Sequence, residues 1–88
     1  MADPVSYLMI EPGWEVVGSD GARVGDVREV LADMSADIFD GLAVDVGIRS
    51  IRYVAAEHVA EIVEGRVVLT QPAAAASSLP QWRGTPGG

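Results

Sequence analysis

Cysteine and lysine are both absent from the 88 residues. The first absence removes disulfides and thiolate metal sites together. A domain this small buries only about 60–65% of the surface its unfolded chain exposes, so its stability has to be helped by other means. Self-association is the remedy left open. Long apolar runs are missing too. The apolar stretch near the start, Tyr7 to Ile10, falls far short of the ~20 residues a membrane helix requires. No basic region precedes it, as one would in a secretory signal. The expected protein is soluble and cytoplasmic, without a membrane partner.

Positive charge is scarce. Six arginines stand against thirteen acidic residues, for a net charge of −7. A nucleic-acid binder needs a cationic stripe to displace counterions from phosphates, and an anionic membrane repels an acidic surface. Direct nucleic-acid contact is therefore not expected. The charge does serve solubility. The length accommodates one domain.

Valine and isoleucine recur in short runs punctuated by glycine and aspartate, the pattern of strands joined by tight turns. Trp14 to Gly18 reads as a first strand, and Ser19-Asp20-Gly21 as a hairpin turn in which Gly21 takes positive φ. Arg23 to Asp33 follows. Its apolar positions, Val24, Val27, Val30 and Leu31, keep no strict period of two and could be read as helical. Three of the four are β-branched and Gly25 sits at the start, which favours a strand bent or bulged at Gly25. Met34 to Asp37 turns the chain. Phe39 to Gly47 then alternates, with Leu42, Val44 and Val46 on one face and Ala43 and Asp45 on the other. Arg49 to Val54 places Ile51 and Tyr53 opposite Arg52 and Val54. Ala55 to His58 forms one helical turn. Val59 to Val63 and Arg66 to Thr70 close a hairpin across Glu64-Gly65. Six short strands at this spacing predict an all-β barrel or sandwich over residues 1–72. Residues 73–88 are small, proline- and glycine-rich, and read as a flexible C-terminal tail whose removal leaves the fold intact. Trp82 stands out there, since a lone indole commonly docks on something.

Gly13-Trp14-Glu15-Val16-Val17-Gly18-Ser19-Asp20-Gly21 followed by Val24-Gly25-Asp26-Val27 resembles the opening of PRC-barrel domains. Phe39-Asp40-Gly41-Leu42-Ala43-Val44 is similar to their third strand, and Tyr53-Val54-Ala55-Ala56-Glu57-His58-Val59 to their junction of strand and short turn. The family includes the cytoplasmic part of the photosynthetic reaction-centre H subunit, the C-terminal half of the ribosome maturation factor RimM, and small stand-alone proteins. The resemblance implies a compact six-stranded β-barrel used for protein contacts without catalysis, here as a stand-alone member. Gly21, Gly25 and Gly41 are its expected structural turns.

Chemistry-bearing constellations are thin. Asp33, Asp37 and Asp40, with Glu29 nearby, form the densest acidic group, but their spacing does not match a calcium loop. Turn aspartates satisfying backbone donors explain them as well. His58 is the sole histidine, with no thiol or telling serine to act with, and is expected to bond a nearby carbonyl. Gly18 to Gly21 lacks the helix and lysine of a phosphate loop. Glu57 and Glu61 have no evident cleft for a glycosidic bond. No catalytic residue, metal or cofactor is assigned.

The apolar residues carry more. Val16, Val24, Val27, Val30, Leu42, Val44, Val46, Ile51, Tyr53, Val59, Ile62, Val67 and Leu69 fill one small core. Tyr7, Leu8, Met9, Ile10, Trp14, Val17, Val54, Val63, Val68 and Trp82 are left over. Either an N-terminal segment covers one end of the barrel, or an exposed edge pairs with a second copy. Arg49 and Arg52 could steer such contacts by charge. Trp14, Arg49, Arg52 and Trp82 are thus the expected interaction residues of a scaffolding module, a homodimer with an unidentified protein partner. The alternative is an accessory of ribosome maturation or RNA processing acting through a ribosomal protein.

Overall fold

The computed structural model describes residues 7–33, 35, 38–47 and 50–82. Among them six strands form one sheet: β1 (Glu15–Val17), β2 (Arg23–Asp33), β3 (Ile38–Gly47), β4 (Ser50–Ala55), β5 (Val59–Val63) and β6 (Arg66–Leu69). Short 3₁₀ turns occupy Tyr7–Met9, Ala56–His58 and Ala73–Ser78. The strand order is β4-β3-β2-β1-β6-β5. Neighbours are antiparallel except β1 and β6, which run parallel.

The expected closed barrel is corrected by this order. β4 and β5 are the two ends of the sheet and do not pair. A physical reason is visible on β4, whose outer edge is already taken by residues 80–82: Tyr53 N–H donates to the Pro80 carbonyl and Trp82 N–H to the Ile51 carbonyl, both at 2.8 Å. The open sheet still wraps a single core, because Val54 of β4 and Val67 and Leu69 of β6 belong to one buried cluster with Val16, Val27, Leu42 and Val44.

β2 is the strand whose pattern resisted a period of two, and two bulges account for it. Val16 pairs with Gly25 while Val17 pairs with Arg23, so Val24 is an extra residue against β1. Val27 pairs with Val44 while Glu29 pairs with Ala43, so Arg28 is extra against β3. Each inserted residue shifts the inward phase by one and brings apolar side chains three apart to the same face. Gly25 is buried beside the first bulge. A Cβ built there would overlap the Asp45 carbonyl oxygen, so the position needs a glycine for close backbone approach. Gly41, expected at a turn, lies instead inside β3, buried, where a Cβ would overlap the Val54 carbonyl oxygen. Gly21 does sit in the β1–β2 turn with φ +82°.

β4 inverts the expected phase. Val54 is fully buried, whereas Ile51 and Tyr53 are half-buried outside the core cluster. Both faces of this strand carry apolar residues, so alternation alone could not choose between them. Ile10 joins the core, and Tyr7 and Trp14 pack against it, with Tyr7 stacked on Phe39 at a centroid distance of 4.9 Å. The segment before β1 therefore packs onto the core.

The loose tail expected from residue 73 is corrected over 73–82; residues 83–88 lie outside the described residues. Leu79 is 8% exposed and part of the core, with Ala76 packed against it. Asp20, in the β1–β2 turn, ties this segment down. Its Oδ1 accepts from Ala73 N–H at 3.2 Å and from Ala22 N–H at 3.3 Å. Ser19 N–H adds a bond to the Gln71 carbonyl at 2.8 Å. Asp20 thus acts as a remote cap for the 3₁₀ turn, which has no side-chain cap of its own. The Ala73 bond, then the Ala22 bond, lowers the Asp20 pKa below its ordinary 3.8. A carboxylate lowered on folding contributes stability above its unfolded pKa and loses it as pH falls through the folded value. The Asp20→Asn variant, which keeps an acceptor but cannot titrate, should therefore melt below wild type at pH 6. The gap should close as pH falls below 3.8. Thermal melts across pH 2–7 check this, and a gap that stays constant with pH would remove the capping role.

Candidate interaction surfaces

Several of the polar side chains are committed to the fold. Asp33 Oδ1 accepts from the backbone N–H and hydroxyl of Ser35, at 3.1 and 2.7 Å, as a turn aspartate does. Asp37 lies outside the described residues. Among the described residues no three of His, Asp and Glu come together as a metal-binding group. The expected carbonyl bond of His58 is not found, since its Nδ1 is buried without a partner among the described residues. What His58 does supply is its backbone carbonyl, which accepts from Thr70 N–H at 2.8 Å. Burial, then the charge of Asp40, raises the Tyr53 pKa above 10.0, with the phenol donating to the Asp40 carbonyl at 3.2 Å.

Three of the described arginines are similarly engaged. Arg23 pairs with Asp26 at 2.8 Å and with Glu15 at 3.8 Å, and Arg66 pairs with Glu15 at 3.3 Å. These exposed pairs contribute at most about 1 kcal/mol each. Their consequence is electrostatic: two of the few cations are neutralised locally, and the unpaired charge left on the surface is predominantly acidic. Arg52, one of the expected interaction residues, donates from Nη1 to the Leu79 carbonyl at 2.8 Å. Arg49 lies outside the described residues.

Two open surfaces stand out among the described residues. One is a groove of about 330 Å3 lined by Leu8, Met9, Glu11, Trp14 and Glu64. Leu8 and Met9 are 56% and 59% exposed, while Trp14 is half-buried against the core. The Tyr7–Met9 turn sets two apolar side chains beside the indole, and the β5–β6 turn brings Glu64 to the rim. Neither Glu11 nor Glu64 makes an ion pair among the described residues. The other surface is the outer edge of β5, which has no neighbouring strand among the described residues. Of the expected interaction residues, Trp14 lies in the groove, whereas Arg52 is on β4, whose outer edge Trp82 joins through its N–H bond to Ile51. Leu8, Met9 and the two glutamates were not expected as a site; their signal in the sequence was an apolar run without a strand to occupy.

The PRC-barrel domain profile matches residues 13–76, which include all six strands. The chain belongs to the PRC-barrel domain family. Comparison with curated proteins gave no match. Within this PRC-barrel domain the match ends at 76, yet Leu79 beyond it completes the core. No described helix is long and apolar enough to cross a membrane.

Proposed function

We propose that this PRC-barrel domain is a non-catalytic protein-interaction module that docks a partner in the groove at Leu8, Met9 and Trp14. The observation that carries this is an apolar floor exposed beside a half-buried indole and rimmed by two carboxylates that make no ion pair among the described residues. Exposed apolar patches with polar rims mark contact sites, and Trp with its neighbours supplies the anchor type that dominates binding energies. The complementary partner presents an apolar side chain flanked by Lys or Arg, one of which stacks on Trp14 or pairs with Glu11 and Glu64. The open β5 edge is the route by which two copies would associate, strand to strand.

The test is quantitative capture from native lysate, comparing wild type with Leu8→Ser/Met9→Ser. Both residues are exposed, so the double variant should fold. It should lose at least tenfold of a specific set of captured proteins that wild type retains. An unchanged capture profile would remove the groove. Ribosomal proteins in that set would identify the partner class. Sedimentation at high micromolar concentration reads the self-association separately; a strict monomer would leave the groove reading and remove the dimer.

A further inference from the structure

The β4 edge is filled by the chain itself, and the manner of filling is informative. Arg52 and Gln81 face each other in an isolated antiparallel bridge. Tyr53 N–H and Trp82 N–H supply the backbone bonds on either side of it, each 2.8 Å. Leu79 inserts into the core, and its carbonyl accepts from Arg52 Nη1. Pro80 has no N–H to offer, so the pairing stops at a bridge where a longer strand would continue a ladder. Arg52 Nε is buried and makes no hydrogen bond among the described residues. A guanidinium presents its donors as a rigid fork, and a buried charged donor without an acceptor is costly. The chain's own segment therefore fills the apolar socket but leaves half of the polar one unused.

We propose that the β4 edge is a strand-addition site for an extended segment of a partner protein, guarded by residues 79–82 until displaced. The segment places a large aliphatic residue in the Leu79 socket and a carboxylate opposite Arg52, where it takes Nε and Nη together in the side-on bidentate arrangement. Main-chain bonds along the edge supply affinity and the socket supplies specificity, as in other strand additions. This site is distinct from the groove at Trp14, so loss of capture at one leaves binding at the other.

The probes are two labelled hexapeptides read by fluorescence anisotropy against the full chain. One is Ser-Ser-Leu-Pro-Gln-Trp, the chain's own sequence; the other carries glutamate at the glutamine position. Glutamate should bind about tenfold tighter, the difference a good bidentate pair makes. Leu79→Ser, which loosens the guard, should raise the affinity for both peptides at least tenfold, and a third, control peptide with serine for leucine should not bind. Arg52→Gln should abolish the preference for glutamate. Absence of binding to folded Leu79→Ser, or binding indifferent to the peptide's leucine, would overturn the proposal. Amide exchange on wild type tests it without any variant. The Tyr53 and Trp82 amides should exchange at least a hundredfold faster than those of Val16 and Val67, because the guard opens alone. Equal rates would show that it leaves only on global unfolding, and would overturn the site. A dimer of the full chain that free peptide dissolves would place a second copy there, and would overturn its assignment to a foreign partner.

Discussion

Replacing Gly25 by valine is expected to lower stability by about 3 kcal/mol, the upper end of what overpacking costs. The reason is the absence of room. Gly25 pairs with Val16 on one side, and on the other a Cβ at this position would meet the Asp45 carbonyl and the Val46 backbone of β3. Backbone, unlike a side-chain end, cannot rotate away. β2 and β3 would have to separate where they hold Asp26 opposite Asp45 and Val27 opposite Val44. For a domain of this size the melting temperature should fall by roughly 12–24 °C. Alanine should already bring most of that loss, because the Cβ itself is the obstruction. Gly41→Ala should behave alike, with the Val54 carbonyl in the way. Calorimetric melts of the three variants check this, and a Gly25→Ala protein melting with wild type would show that β2 and β3 are not so close.

Leu79→Ala is expected to cost about 2–3 kcal/mol, the lower part of the range for large-to-alanine changes in cores. Leu79 sits at the core's rim, 8% exposed, and its removal leaves a gap beside Val54 and the other members of that cluster. Cutting the chain after residue 72 should cost more. It also frees the Tyr53 N–H and the Arg52 Nη1 from their bonds, and leaves Asp20 without Ala73. Chemical denaturation of both proteins measures the losses. A truncated protein as stable as wild type would restore the reading of residues 73–82 as a dispensable tail.

The strands were largely legible because turn chemistry and β-branched runs agree locally. β2 and β5 have the boundaries that the residues suggest, Arg23 to Asp33 and Val59 to Val63. The irregular spacing of Val24, Val27 and Val30 was a true signal of bulges, and Gly25 marked their neighbourhood. Three features escaped for identifiable reasons. The phase of β4 depends on which of two apolar faces meets the core, which only the assembled sheet decides. The role of Leu79 is invisible locally, since Ala73 to Ser78 lacks any periodicity and the segment's bonds span sequence separations such as that of Arg52 and Leu79. The open sheet follows from that same long-range docking, as the edge that would close the barrel is occupied. At the surface, Trp14 was recognisable as a candidate, but Glu64 reaches the groove only through the β5–β6 turn.

The groove at Leu8, Met9 and Trp14 is the proposed docking site for a protein partner. Its most direct test is amide chemical-shift mapping of the labelled chain titrated with a captured partner. Shifts should concentrate on Leu8, Met9, Glu11, Trp14 and Glu64 and vanish for Leu8→Ser/Met9→Ser. Shifts that avoid these residues, or that persist undiminished in the double variant, would contradict it.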